Sequence, residues 1–278
     1  MRIAFFADPG GRSWIVPGLT SLGHEVAVIS TVAALQEHAA LGLDGGFVRT
    51  NADSEGMEAA RVAQADGMRL WNAPDVFDRC RDKRITQTLF ERAGLAVPPL
   101  FDLDPGPAWE GRLIAKPVKG SKGQRAVVAA HWKSLPSDRS GLLVQAMIEP
   151  AVLWRVVSTP AKVLGAYRAV SDQPVINLSR GAHADTSAPL SAAVAQLACA
   201  MCASVEADAT GADILEGADG RLWALEANAR FGLRGFDGRR MGAAVAATII
   251  ERVAGQIAEN RTQEMGRQIP RSAVLDSG

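Results

Sequence analysis

The 278-residue chain is long enough to enclose one large hydrophobic core or several small ones. Hydrophobic residues make up 47% of it and charged residues 22%, a composition typical of a globular protein in water. Lys plus Arg and Asp plus Glu number 30 each, so no net charge draws the chain to nucleic acid or to an anionic membrane.

The N-terminal third carries the alternation of a parallel sheet. A buried strand is predicted over residues 2–7, and a helix over 12–22 leads from it to a second strand at 25–30. Strand, turn, helix and strand in this order are typical of βα units. The first apolar stretch is too short for a signal peptide, and no apolar run reaches membrane-spanning length, so we expect a cytoplasmic protein.

The middle of the chain predicts one amphipathic helix followed by a small strand-rich unit. Apolar spacing predicts the helix over residues 76–93, and Gly94 stands at the position of a C-cap glycine. A Pro- and Gly-rich linker follows at 102–111. Apolar runs then predict strands at 112–116, 125–130 and 142–148.

The C-terminal half predicts a mixed unit of strands and helices. Its predicted strands cover residues 155–157, 162–170, 175–178, 210–216 and 221–226. Helices are predicted over 188–205 and 241–259, and the continuous apolar face of the second suits packing between protomers of a homo-oligomer. Residues 260–278 are interpreted as a polar tail. The whole order predicts three subdomains around a cleft, where small ligands usually bind.

The cysteines do not indicate a disulfide framework. The chain has three of them, Cys80, Cys199 and Cys202, an odd number without framework spacing. Cys199 and Cys202 form a C-x-x-C, but inside an Ala-rich helical run rather than at the start of a helix after a strand. We therefore interpret both as small core-facing residues.

Oxygen-bearing side chains end the predicted hairpin of the C-terminal unit. Alternation along a strand places Glu226 and Asn228 on one face, and Asp213 reaches that face if its strand pairs in register. Two carboxylates and an amide oxygen suit Mg²⁺, whereas two bare carboxylates would repel each other or share a proton. The alternative interpretation is a polar hairpin end with its carboxylates in solvent.

Cationic side chains supply candidate anion ligands. Lys116 ends an apolar strand, where a buried ammonium needs an anion, and the loop carrying Gly120, Ser121 and Gly123 follows it. The spacing is not that of a Walker A motif, and a flexible turn with solvated lysines is the alternative. Arg155 and Arg168 lie in predicted strands, where a planar fork suits phosphate or carboxylate, although each also fits an ordinary edge-strand arginine.

Other catalytic signatures are absent from the sequence. The four histidines have no zinc-ligand spacing, and there is no G-x-S-x-G motif or recognisable triad.

Over residues 72–237, these clusters in this order resemble the ATP-grasp superfamily, and within it the RimK-type and glutathione-synthetase-like carboxylate–amine ligases. The matching positions are Asn72, Asp82-Lys83, Gly94 to Pro98, Lys116-Pro117, Gly120-Ser121, Gly123, Val144 to Ile148, Arg155, Arg168, Asn177, Gly181, Gly211 to Asp213, Glu226 and Asn228. Each stretch is degenerate, but their shared order is specific.

The resemblance implies a fold that combines α/β and α+β units. It implies a Rossmann-like pre-ATP-grasp domain at residues 1–75, a linker helix and small lid subdomain at 76–144, and a larger C-terminal subdomain at 145–259. It also implies an ADP-forming ligase that joins a carboxylate to an amine through an acyl-phosphate. Such an enzyme would add glutamate or another amino acid to a peptide, protein or cofactor precursor.

The resemblance also assigns roles to residues of this chain. It implies that ATP lies between the small and large subdomains and that Mg²⁺, which Mn²⁺ can replace, bridges its phosphates. Nucleotide contacts are implied for Lys83, Lys116, Gly120, Ser121, Gly123, Gln145, Ala146, Met147, Ile148 and Glu149. Metal ligation is implied for Asp213, Glu226 and Asn228, and contact with the acyl-phosphate for Arg168, Arg155 and Asn177.

The chain departs from the family pattern at several places. Ala146 and Leu153 stand where the family usually has acidic residues. Arginines also appear after the metal asparagine, where the family has proline and glycine, so Arg230 and Arg234 are expected to contact an acidic substrate.

Two rival functions remain at this stage. Ala146 and Leu153 keep open a nucleotide-binding regulatory or scaffold protein with a weak site, which would bind ATP without turnover. A dinucleotide-dependent oxidoreductase is disfavoured because the turn after the first strand lacks the G-x-G-x-x-G spacing.

Overall fold

A computed structural model of the chain describes residues 1–10, 13–102, 109–120, 126–171 and 182–268. The N-terminal unit is a four-stranded parallel sheet in the order β2-β1-β3-β4, as the alternation of strands and helices predicts. Its elements are β1 Arg2–Ala7, α1 Ile15–Ser21, β2 Glu25–Ile29, α2 Val32–Ala39, β3 Gly45–Arg49, α3 Glu55–Ala65 and β4 Leu70–Trp71. Thr31 and Ser54 start α2 and α3 by accepting hydrogen bonds from the backbone three residues on.

The single helix predicted over residues 76–93 is two helices, α4 Pro74–Arg81 and α5 Lys83–Arg92. Asp82 separates them with an extended backbone, φ −94° and ψ 109°. Its carboxylate accepts hydrogen bonds from the backbone N–H groups of Arg84 and Ile85. An aspartate side chain that hydrogen-bonds the backbone in this way offers an alternative to the helical hydrogen bonds. The spacing of apolar residues is unchanged by such a break, so it does not reveal one.

The small sheet is antiparallel, with the strand order β5-β8-β6-β7. Its strands are β5 Leu100–Phe101, β6 Leu113–Pro117, β7 Val127–Ala129 and β8 Leu142–Ala146. Leu113, Ala115 and Val144 form its own small core. The boundary predicted after residue 144 lies inside β8.

The large sheet is also antiparallel and has the strand order β11-β10-β9-β12-β13. Its elements are β9 Pro150–Ser158, β10 Val163–Val170, β11 His183–Asp185, α6 Ala192–Ser204, β12 Thr210–Gly217 and β13 Leu222–Asn228. Helix α6 covers one face, where Trp154, Val156 and Ile214 are buried with it. The opposite face carries the polar side chains considered below. The strand predicted at 175–178 lies outside the described residues.

The last helix, α7 Gly238–Gln268, returns to the N-terminal unit. Its buried residues Val245, Ile249 and Val253 share a core with Ile3 of β1 and Leu19 of α1. The apolar face that suited packing between protomers is therefore used inside the chain. The helix also continues nine residues beyond the predicted end at 259, so the first part of the predicted irregular tail is helical.

The cysteine interpretation agrees with the packing of α6. Cys202 is fully buried and Cys199 partly buried, and both are free thiols. Burial raises the pKa of Cys202 to about 12, which removes the thiolate that redox chemistry needs. Within the described ranges, no helix is both long and apolar enough to span a bilayer.

Candidate active site

Three charged residues stand in one cross-strand row on the face of the large sheet opposite α6. Asp213 of β12 lies directly opposite Arg155 of β9 on one side and Glu226 of β13 on the other. Directly opposed residues share a face of the sheet, so the three side chains project together. Arg155 Nη2 donates to Asp213 Oδ2 at 2.9 Å, and Arg155 Nε lies 2.5 Å from Oδ1. The register that the metal hypothesis required is present.

The Asp213 carboxylate is buried between the Arg155 guanidinium and the Glu226 carboxylate. Burial raises its pKa to about 6, Arg155 opposes that shift, and the neighbouring Glu226 adds to it. A buried carboxylate whose pKa is raised, next to a second carboxylate, is an arrangement that a further cation would stabilise.

The oxygen donors fit magnesium better than a metal held entirely by protein. Asn228 follows Glu226 on the same face, and its Nδ2 donates to the carbonyl of Gly211 at 3.2 Å, which leaves the amide oxygen for a cation. No group of three His, Cys, Asp or Glu side chains in the described residues forms a metal cage. Two carboxylates and one amide oxygen suit Mg²⁺, which usually keeps waters and substrate phosphates in its shell.

Lys116 faces this row from the small sheet. It is 8% exposed, and its Nζ lies 3.5 Å from Glu226 Oε1. Burial lowers the pKa of Lys116, Glu226 raises it, and the nearby Lys83 lowers it again. Two ammonium groups close together across from two carboxylates mark the space between the sheets as a place for a polyanion and its counterion.

The break between α4 and α5 sets the position of Lys83. Lys83 is the first residue of α5, and its backbone N–H donates a hydrogen bond to the carbonyl of Val118 at 3.1 Å. Its Nζ donates to the carbonyl of Gly120 at 2.8 Å. The start of α5 is thus joined to the loop after β6. Ser121 and Gly123 of that loop lie outside the described residues.

The predicted adenine-binding segment connects the two sheets. Gln145 is buried, and its Nε2 donates to Gln87 Oε1 at 2.5 Å, so its side chain belongs to the interior. The N–H groups of Ala146 and Met147 donate to the carbonyls of Pro99 and Arg112, both at 2.9 Å.

Beyond these residues the segment runs into β9. Glu149 pairs with Arg112 at 2.7 Å, where both side chains are about half exposed. Gly217 of β12 packs near Ile148, with 3.6 Å between the Ile148 Cγ2 and an added Cβ. The backbone N–H groups of Ala146 and Met147 are therefore already hydrogen-bonded. A purine bound at this segment would have to bond to the backbone carbonyls of the segment or to the residues after Met147.

Arg168 is not brought to this face, which corrects its pairing with Arg155. It lies opposite Trp154 on β9, and strand alternation sends that pair to the face covered by α6. Its guanidinium binds Asp185 of β11 at 2.9 Å. The sequence placed both arginines in strands, but only the register reveals that they face apart. Asn177 lies outside the described residues.

Tyr167 occupies the place expected for Arg168. It lies directly opposite Arg155, and its ring meets Phe236 edge-on with 4.8 Å between centroids. Burial raises the pKa of its phenol, whereas the positive charges of Arg155 and Arg234 lower it. Sequence reasoning missed this residue because a lone tyrosine in a strand reads as packing.

Comparison with known proteins identifies the architecture. A model of the RimK-like ATP-grasp domain matches residues 109–253, just over half of the chain. No curated protein matches the sequence. Among solved structures, the ATP-grasp ligase PsnB complexed with minimal precursor aligns with a TM-score of 0.69 and 22% identity, covering 90% of this chain and 98% of PsnB.

Two further structures share the fold. An L-amino acid ligase from Bacillus licheniformis has a TM-score of 0.63 and 16% identity, covering 88% of this chain and 68% of its own. D-alanine–D-alanine ligase from Bacillus anthracis, complexed with ATP, has a TM-score of 0.64 and 14% identity, covering 94% and 99%. The expected mixed α/β and α+β ATP-grasp fold is confirmed, and the chain belongs to the RimK-like ATP-grasp family of ligases.

Proposed function

We propose that this protein is an ADP-forming ligase that joins a carboxylate to an amine through an acyl-phosphate. The observation that carries the proposal is the row of Arg155, Asp213 and Glu226, with Lys116 facing it from the other sheet. ATP and Mg²⁺ are used by the family, and one aligned structure is PsnB complexed with minimal precursor, Mg and ADP. We infer that Mn²⁺ can replace Mg²⁺.

The residues divide into two opposing groups in this proposal. Lys116 and Lys83 bind the nucleotide phosphates from the small sheet, together with backbone around Gly120. Asp213, Glu226 and the amide oxygen of Asn228, all on the large sheet, would hold Mg²⁺. The hinge from Gln145 to Glu149 lies beside the adenine. In this proposal the chain divides into an N-terminal domain at 1–75, a small subdomain at 76–144 and a C-terminal subdomain at 145–259, although β8 crosses the second boundary and α7 extends past the third.

Charge is the obstacle that these groups overcome. A carboxylate that attacks the γ-phosphate brings two anions together, and most of the catalysis comes from positioning and electrostatic stabilisation. Mg²⁺ bound at the carboxylates supplies charge neutralisation there. Arg155 lies beside the same carboxylates, and in this proposal it binds the acyl-phosphate oxygens. The amine then displaces phosphate from the acyl carbon, which leaves an amide, ADP and inorganic phosphate.

The metal assignment is tested by Glu226→Gln. Replacing a charged magnesium ligand by a neutral one of the same shape should lower turnover by roughly two orders of magnitude or more, with the fold retained. The measurement is ADP release in a screen of amino acids with peptide, protein and cofactor-precursor acceptors. The control is Glu251→Gln, which makes the same change on α7, where Glu251 pairs with Lys162 at 2.9 Å.

Each result of this experiment bears on the proposal. ADP release that requires both a carboxylate and an amine, and that falls only in Glu226→Gln, supports it. Turnover in Glu226→Gln equal to wild type would remove the metal site. Nucleotide binding without turnover on any acceptor pair would favour the regulatory or scaffold function instead.

Lys116→Ala tests the phosphate site separately. Because Lys116 is buried and faces the carboxylate row, its loss should weaken Mg·ATP binding by about tenfold or more, as expected for one charge-assisted contact. Calorimetric titration of Mg·ATP measures this change. The matched control is Lys162→Ala, which removes an exposed lysine paired with Glu251. An unaltered affinity in Lys116→Ala would exclude Lys116 from the site.

A further inference from the structure

The N-terminal sheet has a topological switch point next to the candidate active site. The strand order β2-β1-β3-β4 means that the chain leaves β1 in one direction and returns to its other side at β3. In open parallel sheets, ligands bind in the crevice at the carboxyl ends of the strands where this reversal occurs. At that edge, Ala7 of β1 lies opposite Arg49 of β3, and Asp8 and Thr50 follow them.

Two arginines and one carboxylate meet at this edge. Arg230, from the segment after β13, pairs with Asp8 at 3.0 Å and donates to Asn51 Oδ1. Asp8 also accepts hydrogen bonds from Thr50 Oγ1 at 2.6 Å, from Asn51 N at 3.0 Å and from Asn51 Nδ2 at 2.7 Å. Asp8 is therefore well satisfied by its own domain and does not depend on Arg230.

With Arg49 and Arg230 as cations and Asp8 as the one carboxylate, in the part of the chain that the structure describes, that pairs with either, this edge carries one excess positive charge. Its Nη1 donates to the carbonyl of Phe231 at 2.6 Å, and its guanidinium lies over the Phe231 ring, 5.8 Å from the centroid. No carboxylate of the described residues pairs with Arg49. Burial and the neighbouring Arg230 lower the pKa of Arg49 to about 10, the response of a buried cation that lacks a counterion.

We propose that Arg49 and Arg230 bind the carboxylate of an acidic substrate at this switch point, and this deepens the proposed ligase function on which it rests. A guanidinium presents a planar fork that matches a carboxylate, and Arg230 is 44% exposed, so it is open to a ligand. An incoming anion would supply the counterion that Arg49 lacks.

The switch point adjoins the carboxylate row. Phe231, whose carbonyl binds Arg49, packs so tightly on Gly211 that an added Cβ would lie 2.6 Å from the Phe231 Cβ. The same added Cβ would lie 3.4 Å from Arg155 Nη1, and the Gly211 carbonyl accepts from Asn228. Phe231 and Gly211 therefore connect the switch point to Arg155 and Asn228, which are among the groups proposed to activate the substrate.

The experiment compares acidic probes with their neutral amides on the full chain loaded with Mg·ADP. The acidic probes are L-glutamate, L-aspartate and an acetylated tetra-glutamate peptide, and the neutral ones are L-glutamine, L-asparagine and the tetra-glutamine peptide. At least one acidic probe should bind by calorimetric titration about tenfold more tightly than its amide. Arg230→Gln should abolish that preference, whereas Arg61→Gln, which removes an arginine of α3 that is also paired with an aspartate, should keep it.

Arg49 needs two variants because it also holds Phe231. Arg49→Gln should abolish the preference for the acidic probe, and Arg49→Lys, which keeps the charge, should retain part of it. Mg·ADP affinity within twofold of wild type in all variants verifies an intact nucleotide site. An equal affinity for acidic and neutral probes in the wild type, or an undiminished preference in both glutamine variants, would overturn the proposal. Failure of Mg·ADP to bind would instead count against the ligase function.

Discussion

Asp213 is buried beside Glu226, and its pKa is raised from 3.8 to about 6 by burial, against the effect of Arg155. Between pH 4 and pH 6 the unfolded chain releases this proton while the folded chain keeps it. The unfolded state then binds fewer protons, so this group makes the metal-free protein less stable as pH rises. The loss approaches about 3 kcal/mol for a shift of about two units in pKa.

Urea denaturation at pH 4.5 and pH 6.5 without metal tests this. The free energy of unfolding of wild type should fall between the two pH values relative to that of Asp213→Asn, which cannot titrate. Added Mg²⁺ should remove most of the difference, because a metal ligand must be deprotonated. Parallel pH dependences in the two proteins would contradict the raised pKa.

Asn72 has a structural effect that its place in a loop does not suggest. It is fully buried with a positive φ of 52°, and its side chain makes four hydrogen bonds, two to the N–H groups of Asp208 and Ala209 and two to the carbonyls of Ala209 and Ala229. Asn72→Ala leaves these buried groups without partners, so we expect a loss of at least about 3 kcal/mol.

The comparison variant is Asn72→Gly, which removes the same bonds but adopts positive φ freely. It should recover about 1 kcal/mol of the loss. Chemical denaturation measures both changes. An alanine variant within 1 kcal/mol of wild type, by the same method, would show that water replaces the side chain.

At the scale of elements, the break at Asp82 positions the nucleotide site. Asp82 caps α5 through the N–H groups of Arg84 and Ile85, and an isolated bridge pairs it with Lys119 before the glycine loop. Asp82→Ala should lower the free energy of unfolding by about 1 kcal/mol, the usual contribution of an N-cap, whereas Asp82→Asn should preserve most of it. Urea denaturation distinguishes the two, and equal losses would mean that charge rather than capping matters.

The predicted elements show which information was local. The apolar run of β1 and the hairpin of β12 and β13 were read correctly because alternation and turn glycines lie within a few residues. The interruption at Asp82 was missed because a capping aspartate inside an amphipathic pattern has the same periodicity as a surface aspartate. The extension of α7 to Gln268 was missed because a polar composition resembles a tail.

At the scale of the whole molecule, α1 and α7 pack closely against each other because glycines lie at their contact. A Cβ at Gly242 would lie 2.3 Å from the carbonyl oxygen of Trp14, so Gly242→Ala must push the helices apart. We expect a loss of about 1–3 kcal/mol from overpacking. Gly255→Ala on the same helix meets nothing within 4 Å and should be neutral or stabilising by about 0.5–1 kcal/mol. Thermal unfolding checks both, and equal shifts would refute the close contact.

The candidate site was predicted in its residue types and only partly in its geometry. Asp213, Glu226 and Asn228 share a face because they lie in one hairpin, whose pairing follows from short-range pattern. Arg155 and Lys116 join them through β9 and the small sheet, contacts between residues far apart in sequence. Arg168 was misplaced and Tyr167 overlooked because the register between β9 and β10 decides which face each residue takes.

The sequence by itself determined β1, β2, the hairpin of β12 and β13 and the family, because periodicity, turn residues and motif order are local or linear properties. Only the tertiary structure decided that α7 folds back onto the N-terminal sheet and that Arg49 shares an edge with Arg230. The physical reason is that burial and charge proximity depend on which distant segments pack together. One-residue changes of register reverse the facing of a whole strand, and no local pattern records them.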